Sequence, residues 1–258
     1  MKDNNSTVDR RKYIINEINN KGQVYVHELS ERFKVSEVTI RNDLEQLEQK
    51  RILVRARGGA IKLEGNMAKE QRISDKDKLY YDEKVRIGKK AASLINDNDT
   101  ILLDSGTTTM EIARNLPERN NLTVITNAIN IVNELLGRRN INLIVLGGYL
   151  RETSHSLVGF LAEKSLQNFY VDKVFLGVDG FDTKQGIYTP NLEEAHLNQL
   201  MIQNAKDVIL VTDSSKFFRK SLAFICEIKM INIVVTDDGI SPENKQRLED
   251  ENVKVIIA

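Results

Sequence analysis

Apolar residues recur at helical spacing twice between residues 24 and 49. Val26, Leu29 and Phe33 fall at i, i+3 and i+7, one face of a helix. Lys34-Val35 interrupt the pattern, and Ile40, Leu44 and Leu47 resume it at i, i+4 and i+7. Ser36 is placed to cap the second helix, because its hydroxyl can accept from the free N–H groups of the first turn. Val35 before the cap and Ile40 four positions after it fit a hydrophobic staple. Upstream, Ile14, Ile15 and Ile18 predict a further helix that stops at Lys21-Gly22. Downstream, residues 53–57 set Leu, Val and Ala against Arg55 and Arg57. Gly58-Gly59 suits a hairpin turn, and Ile61 and Leu63 alternate with Lys62 on the return. The expected unit is three helices with a basic β-hairpin wing on which Arg55, Arg57 and Lys62 share a face.

Past residue 63 the pattern changes twice. Residues 64–78 are polar and charge-rich and read as a linker, followed by helical spacing from about Leu79 to Ile95. Short apolar runs then alternate with helical stretches. The runs are 100–104, 122–126, 141–146, 173–178, 207–212, 231–236 and 253–258. Runs this continuous suit strands buried on both faces. Helical patterns cover 108–116, 128–136, 157–169, 192–205 and 242–251. Such alternation predicts an α/β unit with a doubly wound, mostly parallel sheet. The expected domains are therefore 1–63, a winged helix–turn–helix, and 79–258, the α/β unit, joined by the linker 64–78.

The outward side of the second capped helix shows Glu37, Val38, Thr39, Arg41, Asn42 and Glu45. Arg and Asn make two-pronged contacts to guanine and adenine edges. Thr39, Arg41 and Asn42 are thus candidates for base or phosphate contact, with Ser36 near a phosphate at the helix start. A helix–turn–helix puts such a face into the major groove, and a basic wing of Arg55, Arg57 and Lys62 can hold the flanking backbone. The competing explanation is a small helical interaction domain whose charged face is merely solvated. The ordered combination of cap, polar face and basic hairpin favours double-stranded DNA.

In the α/β unit polar residues collect where the strands end, which is where open α/β sheets bind ligands. Asp104-Ser105-Gly106-Thr107-Thr108 follow the first strand, and hydroxyls with free N–H groups there can hold a phosphate. The stretch lacks the Gly-Lys-Ser/Thr end of a P-loop and the three glycines of a dinucleotide fingerprint. Asn127 follows the second strand; Gly147, Gly148 and Arg151 follow the third. Asp179 follows the fourth and can accept from sugar hydroxyls. Glu193 begins a helix, where the dipole favours a carboxylate. Lys216, beyond the fifth strand, offers a point positive charge. Hydroxyls, glycines, carboxylates and two cations together point to a phosphorylated polyol as effector.

Charge sharpens the division. The chain has 258 residues and no net charge, yet residues 1–62 hold 13 Lys+Arg against 9 Asp+Glu, a net of +4, and the rest a net of −4. A basic head on an acidic body fits DNA contact at one end. The single cysteine, Cys226, precludes an intrachain disulfide and reads as a small apolar side chain. Its three histidines lack metal-ligand spacing, and Glu193, Glu194 and His196 make a poor chelate, so neither metal nor cofactor is expected. No apolar run approaches membrane-spanning length and no signal-peptide pattern is evident, so the expectation is a soluble, cytoplasmic protein.

With these motifs in place, the chain resembles the DeoR family of bacterial sugar-metabolism repressors over nearly its whole length. The head matches at Val35–Leu44 and Val54–Ala60. The body matches at 103–108, 126–127, 146–148, 158–159, 172–177 and 213–217. Residues 104–114 and 211–217 are similar to repressors of N-acetylgalactosamine, galactosamine and galactitol catabolism. The resemblance implies a sensor of the ribose-5-phosphate isomerase type and repression lifted by a phosphorylated sugar. It also implies a phosphate against Ser105, Gly106, Thr107 and Thr108, with Gly147, Gly148, Asp179, Glu193 and Lys216 around the sugar. The isomerase relatives carry Asp-Gly-Ala-Asp-Glu where this chain has Asp179-Gly180-Phe181-Asp182-Thr183, which favours sensing over turnover. The expected protein is a homodimeric or homotetrameric repressor without enzymatic activity. The alternatives are a sugar-phosphate isomerase with a DNA-binding head and a ligand-dependent activator.

Overall fold

The computed structural model describes residues 7–49, 53–56, 58–62, 70–217 and 219–258, and the chain divides into two compact units, 1–66 and 67–258.

In the first unit α1 (Thr7–Lys21) is followed by β1 (Gln23–Tyr25), α2 (Val26–Phe33), α3 (Glu37–Gln49), β2 (Leu53–Ala56) and β3 (Gly59–Lys62). Lys34 turns the chain after α2 in the left-handed region, φ 51°. Ser36 caps α3 as expected, its Oγ accepting from the Thr39 N–H at 3.2 Å. The three strands form one antiparallel sheet in the order β1-β3-β2. Ile14, Ile18, Val26, Leu29, Ile40, Leu44, Leu47 and Leu53 close a single core. That core also encloses a charge: Asp43, 2% exposed, accepts from Arg10 and, at 2.7 Å, from Arg11, tying α3 to α1.

Two details of the wing differ from the sequence reading. Gly58 alone takes a positive φ, +77°, and Gly59 is a strand residue paired with Ala56 and Tyr25. Gly59 is required by close approach instead, since a Cβ there would overlap the Val24 carbonyl. Arg55 pairs with Ala60 and lies on the face that carries Leu53 and Ala60 into the core, not on an outward one. Arg57 and the Lys62 side chain lie outside the described residues.

The second unit begins with α4 (Ile73–Lys78), in the stretch read as linker, and α5 (Tyr81–Ala92). A parallel sheet follows, its seven strands being β4 (Thr100–Leu103), β5 (Leu122–Thr126), β6 (Ile141–Val145), β9 (Val171–Leu176), β12 (Ala205–Val211), β14 (Ile233–Thr236) and β15 (Lys254–Ile257). These are the seven continuous apolar runs. Between them lie α6 (Thr107–Arg114), α7 (Ile129–Leu135), α8 (Phe160–Leu166), α9 (Leu192–Gln203) and α10 (Pro242–Asp250). Successive strand residues point to opposite faces. Ile101 and Leu103 pack with α5, α6 and α7, while Leu102, Val174 and Leu210 pack with α8, α9 and α10. The sheet is thus doubly wound.

The pattern hid five short antiparallel strands. β7 (Tyr149–Arg151) pairs with β8 (Ser156–Val158), and β10 (Gly180–Asp182), β11 (Gly186–Thr189) and β13 (Ala223–Cys226) form a small sheet. At three or four residues each they show too little alternation to read. β8 occupies the start of the stretch expected to be helical from Leu157, and Gly159, φ 84°, separates it from α8. Cys226, 8% exposed in β13, is packed as expected, and burial pushes its thiol up to about 12. Among the described residues no helix is long and apolar enough to cross a membrane.

Candidate functional site

In the first unit the candidate reading face is open. Ser36, Arg41 and Asn42 are exposed and Thr39 is half-buried, its hydroxyl 2.9 Å from that of Ser36. Arg41 donates to Glu37 at 2.5 Å, one turn back along α3. An exposed pair of this kind contributes little stability and can exchange for a base or phosphate. Arg55 is held more firmly: its backbone N–H donates to Glu48 at 2.9 Å and its Nε is buried without a partner.

In the second unit the strand order β15-β14-β12-β9-β4-β5-β6 reverses between β9 and β4. Chains leaving these two strands run to helices on opposite faces and open a crevice, the usual ligand position in such sheets. The five adjacent strand ends β12, β9, β4, β5 and β6 lead directly into the sequence-predicted residues. Lys216 follows β12, Asp179 follows β9, Asp104 to Thr108 follow β4, Asn127 follows β5, and Gly147 and Gly148 follow β6. One row of strand ends therefore assembles nearly all of them.

Their environments differ. Asp104, 3% exposed, is pushed up to about 8 by burial and by the neighbouring Glu194 carboxylate, against the opposing pull of the Ser105 N–H and the Asn198 amide. Burial and Glu194 thus favour its neutral form, which is able to donate a hydrogen bond. Thr107 and Thr108 open α6 and are buried, at 8% and 7% exposure. Asn127, 1% exposed, leaves its side-chain oxygen unpartnered. Gly148, φ +135°, sits where a Cβ would press on Val158, whereas Gly147 faces open space. Burial alone would raise the Asp179 carboxyl, but Lys76, Lys216 and Arg219 outweigh it and hold it below the usual range.

Arg151, expected as one of the two cations around the ligand, is already paired within the protein. It donates to both Glu70 oxygens at 2.7 Å, to Ser154 at 3.1 Å and to Glu194. Glu194 in turn accepts from Ser156 at 2.9 Å and Thr189 at 3.2 Å. Glu193, predicted to face the ligand, is exposed instead, while Glu194 is 9% exposed. The reason is helical phase: Glu194, Leu197, Asn198 and Met201 form the buried stripe of α9, and Glu193 is off it.

Two lysines were missed. Lys84, 4% exposed on α5, is lowered to about 8 by burial, with Asp213 opposing and Lys216 adding to the shift. It donates to the Lys76 carbonyl. Lys76 on α4 pairs with Asp179 at 2.6 Å. Beside them a recess of about 170 Å³ is lined by Ile73, Ser74, Asp77, Thr107, Asn130 and His155, among others. Asn130 also leaves its buried side-chain oxygen unpartnered. Cations, a neutral carboxyl, threonine hydroxyls and free amide oxygens together suit a small ligand with both anionic and hydroxyl groups.

Comparison with known proteins bears on both units. Residues 10–65 match the family described as "DeoR-like helix-turn-helix domain", and residues 80–238 match "DeoR C terminal sensor domain". A protein of Escherichia coli O157:H7 named "Putative aga operon transcriptional repressor" is 41% identical over 97% of this chain and 94% of its own. The "Lactose phosphotransferase system repressor" of Staphylococcus epidermidis is 32% identical over 93% of this chain and 96% of its own. Among solved structures, ribose 5-phosphate isomerase A of Methanocaldococcus jannaschii aligns with 53% of this chain and 54% of its own at 19% identity and a TM-score of 0.40. The chain belongs to the DeoR family of transcriptional regulators.

Proposed function

We propose that this protein is a cytoplasmic, homo-oligomeric repressor of a sugar or amino-sugar catabolic operon, released from its operator by a phosphorylated sugar. The observation that carries the reading is the coexistence in one chain of an exposed, capped helix with Arg41 and Asn42 and a polar row along five adjacent strand ends of a switch-point sheet. Thr39, Arg41 and Asn42 read the operator, with Ser36 and the wing positions Arg57 and Lys62 on its backbone, while Arg55 is built into the sheet. Ser105 to Thr108 take the phosphate together with Lys216, and Asp104, Asn127, Asp179 and Glu194 take the hydroxyls. Operators of dimeric helix–turn–helix proteins repeat a half-site at about one helical turn, ~34 Å, or multiples of it. A ligand that prefers the sensor geometry unable to present two heads shifts the population off DNA.

The same geometry argues against turnover. The two carboxylates of the 179–183 segment are held apart in separate ion pairs, Asp179 with Lys76 at 2.6 Å and Asp182 with Lys220 at 3.3 Å. The testing experiment is binding of the full-length protein to its own upstream DNA at fixed salt, titrated with hexose 6-phosphates and tagatose phosphates. Release by one phosphosugar is expected. Specific binding indifferent to every sugar would overturn the effector site. Conversion of any of these sugars by the purified protein would replace sensing with catalysis.

A further inference from the structure

The segment that carries the chain from the head into the sensor also occupies the sensor's charged groups. Glu70 takes Arg151 with both oxygens at 2.7 Å. Three residues on, the Ile73 N–H donates to the Thr153 carbonyl at 2.8 Å. Lys76 pairs with Asp179 at 2.6 Å, and its carbonyl accepts from buried Lys84. Ile73, Ser74 and Asp77 wall the recess opposite Thr107 and Asn130. Residues 70–78 thus run as a strap from Arg151, beyond β6, to Asp179, beyond β9, across the strand ends that hold the candidate effector residues.

The chemistry of this strap is that of a ligand. It presents a carboxylate to the guanidinium and an ammonium to the acidic acceptor. With the phosphate on Ser105 to Thr108, hydroxyls of a phosphosugar would fill both places, one accepting from Arg151 and another donating to Asp179. We propose that residues 70–78 act as a built-in competitor for the effector site, and that a phosphorylated sugar releases the head from DNA by displacing Glu70 from Arg151 and Lys76 from Asp179. The proposal rests on the effector reading above and adds to it the element through which the site speaks to the head. A strap that binds one sensor state and a ligand that binds the other bias a single equilibrium in opposite directions, as coupling between two sites requires.

Its test uses the full-length protein in two arms. Without sugar, amide hydrogen exchange over residues 73–78 and operator affinity at fixed salt are compared for the wild type, Glu70→Gln, Lys76→Met, the double variant and Lys78→Gln, an exposed control on the same helix. The double variant should exchange at least tenfold faster across the strap and bind operator about tenfold more weakly. Each single variant should fall between, and the control should match the wild type. A freed strap with unchanged operator affinity, or substitutions that leave exchange unchanged, would overturn the proposal. In the second arm glucose, galactose and tagatose 6-phosphates are added to the wild type. One that raises the sensor's melting temperature should also speed exchange at 73–78, and binding that slows it or leaves it unchanged refutes displacement. If none of the three is bound, these sugars are removed as effectors, while the sugar-free arm still decides whether the strap governs the head.

Discussion

The head and the sensor treat buried charge in opposite ways. In the head Asp43 is shut away with two arginines that satisfy it, Arg10 and Arg11, and the remaining charge of α3 is turned outward. In the sensor Asp104 and Lys84 are buried and both shifted toward their neutral forms, and Asn127 and Asn130 keep unpartnered oxygens. An unpaired polar group in an interior is costly, and a fold normally eliminates it. The head has done so at Asp43, which both arginines satisfy. The sensor instead keeps unpartnered amide oxygens beyond β5, among the strand ends where open α/β sheets take ligands.

The largest expected effect attacks the closed pair. Asp43→Ala strands two arginine heads between α1 and α3, and breaking a buried ion pair from one side costs about 3–5 kcal/mol. A domain of this size has little stability to spare. The head should lose its cooperative melting transition and operator binding should vanish, while the sensor transition keeps its position in calorimetry. A head that still melts cooperatively near its original temperature would show that the pair is not what fastens α3 to α1.

The open group predicts a pH dependence. Asp104 ionises near 3.8 when unfolded and at about 8 when folded, so folding takes up a proton between those values and sensor stability declines as pH rises through that window. The decline is at most about 1.4 kcal/mol per pH unit. Lys84 acts in the next window: its folded value of about 8 lies below 10.5, so its contribution recovers as pH rises between them. Asp104→Asn keeps the shape of the protonated acid without its titration. The sensor melting temperature of this variant should be flat from pH 5 to 8 where that of the wild type falls. An equal fall in both would assign the titration to another group.

Both kinds of buried charge were partly legible, and the part missed has one cause. The seven parallel strands were readable because strands buried on both faces are written as unbroken apolar runs, and the polar residues after them followed from strand polarity. The helices hide more. Arg10 lies on the stripe of Ile14 and Ile18, Asp43 on that of Ile40 and Leu47, Lys84 on that of Ile87 and Ala91, and Glu194 on that of Leu197 and Met201. Counting only apolar residues at helical spacing skips a charged residue that occupies the same phase. Such a residue is the informative exception, because a charge on the inward stripe must be paired or used. The strap was hidden differently: a six-residue helix between charged residues has the composition of a linker, and only its partners at Arg151, Thr153 and Asp179 reveal that it is docked.

At the exposed face of the head the effects should be smaller and separable. Arg41→Ala and Asn42→Ala should each weaken operator binding by roughly 1–3 kcal/mol if they read base edges. Glu37→Ala, which frees Arg41 from its 2.5 Å pair, should leave binding equal or tighter. Operator affinity indifferent to Arg41→Ala would place the reading face elsewhere on α3.

The wing gives the finest test, because it separates a cation expected to hold phosphate from one that is built into the sheet. A cation that neutralises one phosphate contributes about 0.9 to the slope of log affinity against log salt. Arg57→Ala should lower that slope by about this amount and weaken binding to all sequences alike. Arg55 leaves β2 on the side of Leu53 and Ala60, with its Nε buried and its backbone N–H fixed to Glu48. Arg55→Ala should therefore lower the melting temperature of the head more than it lowers the salt slope. Equal loss of slope in the two variants would mean that DNA draws Arg55 out of the sheet, and the head, like the sensor, would then keep a buried polar group in reserve for its partner.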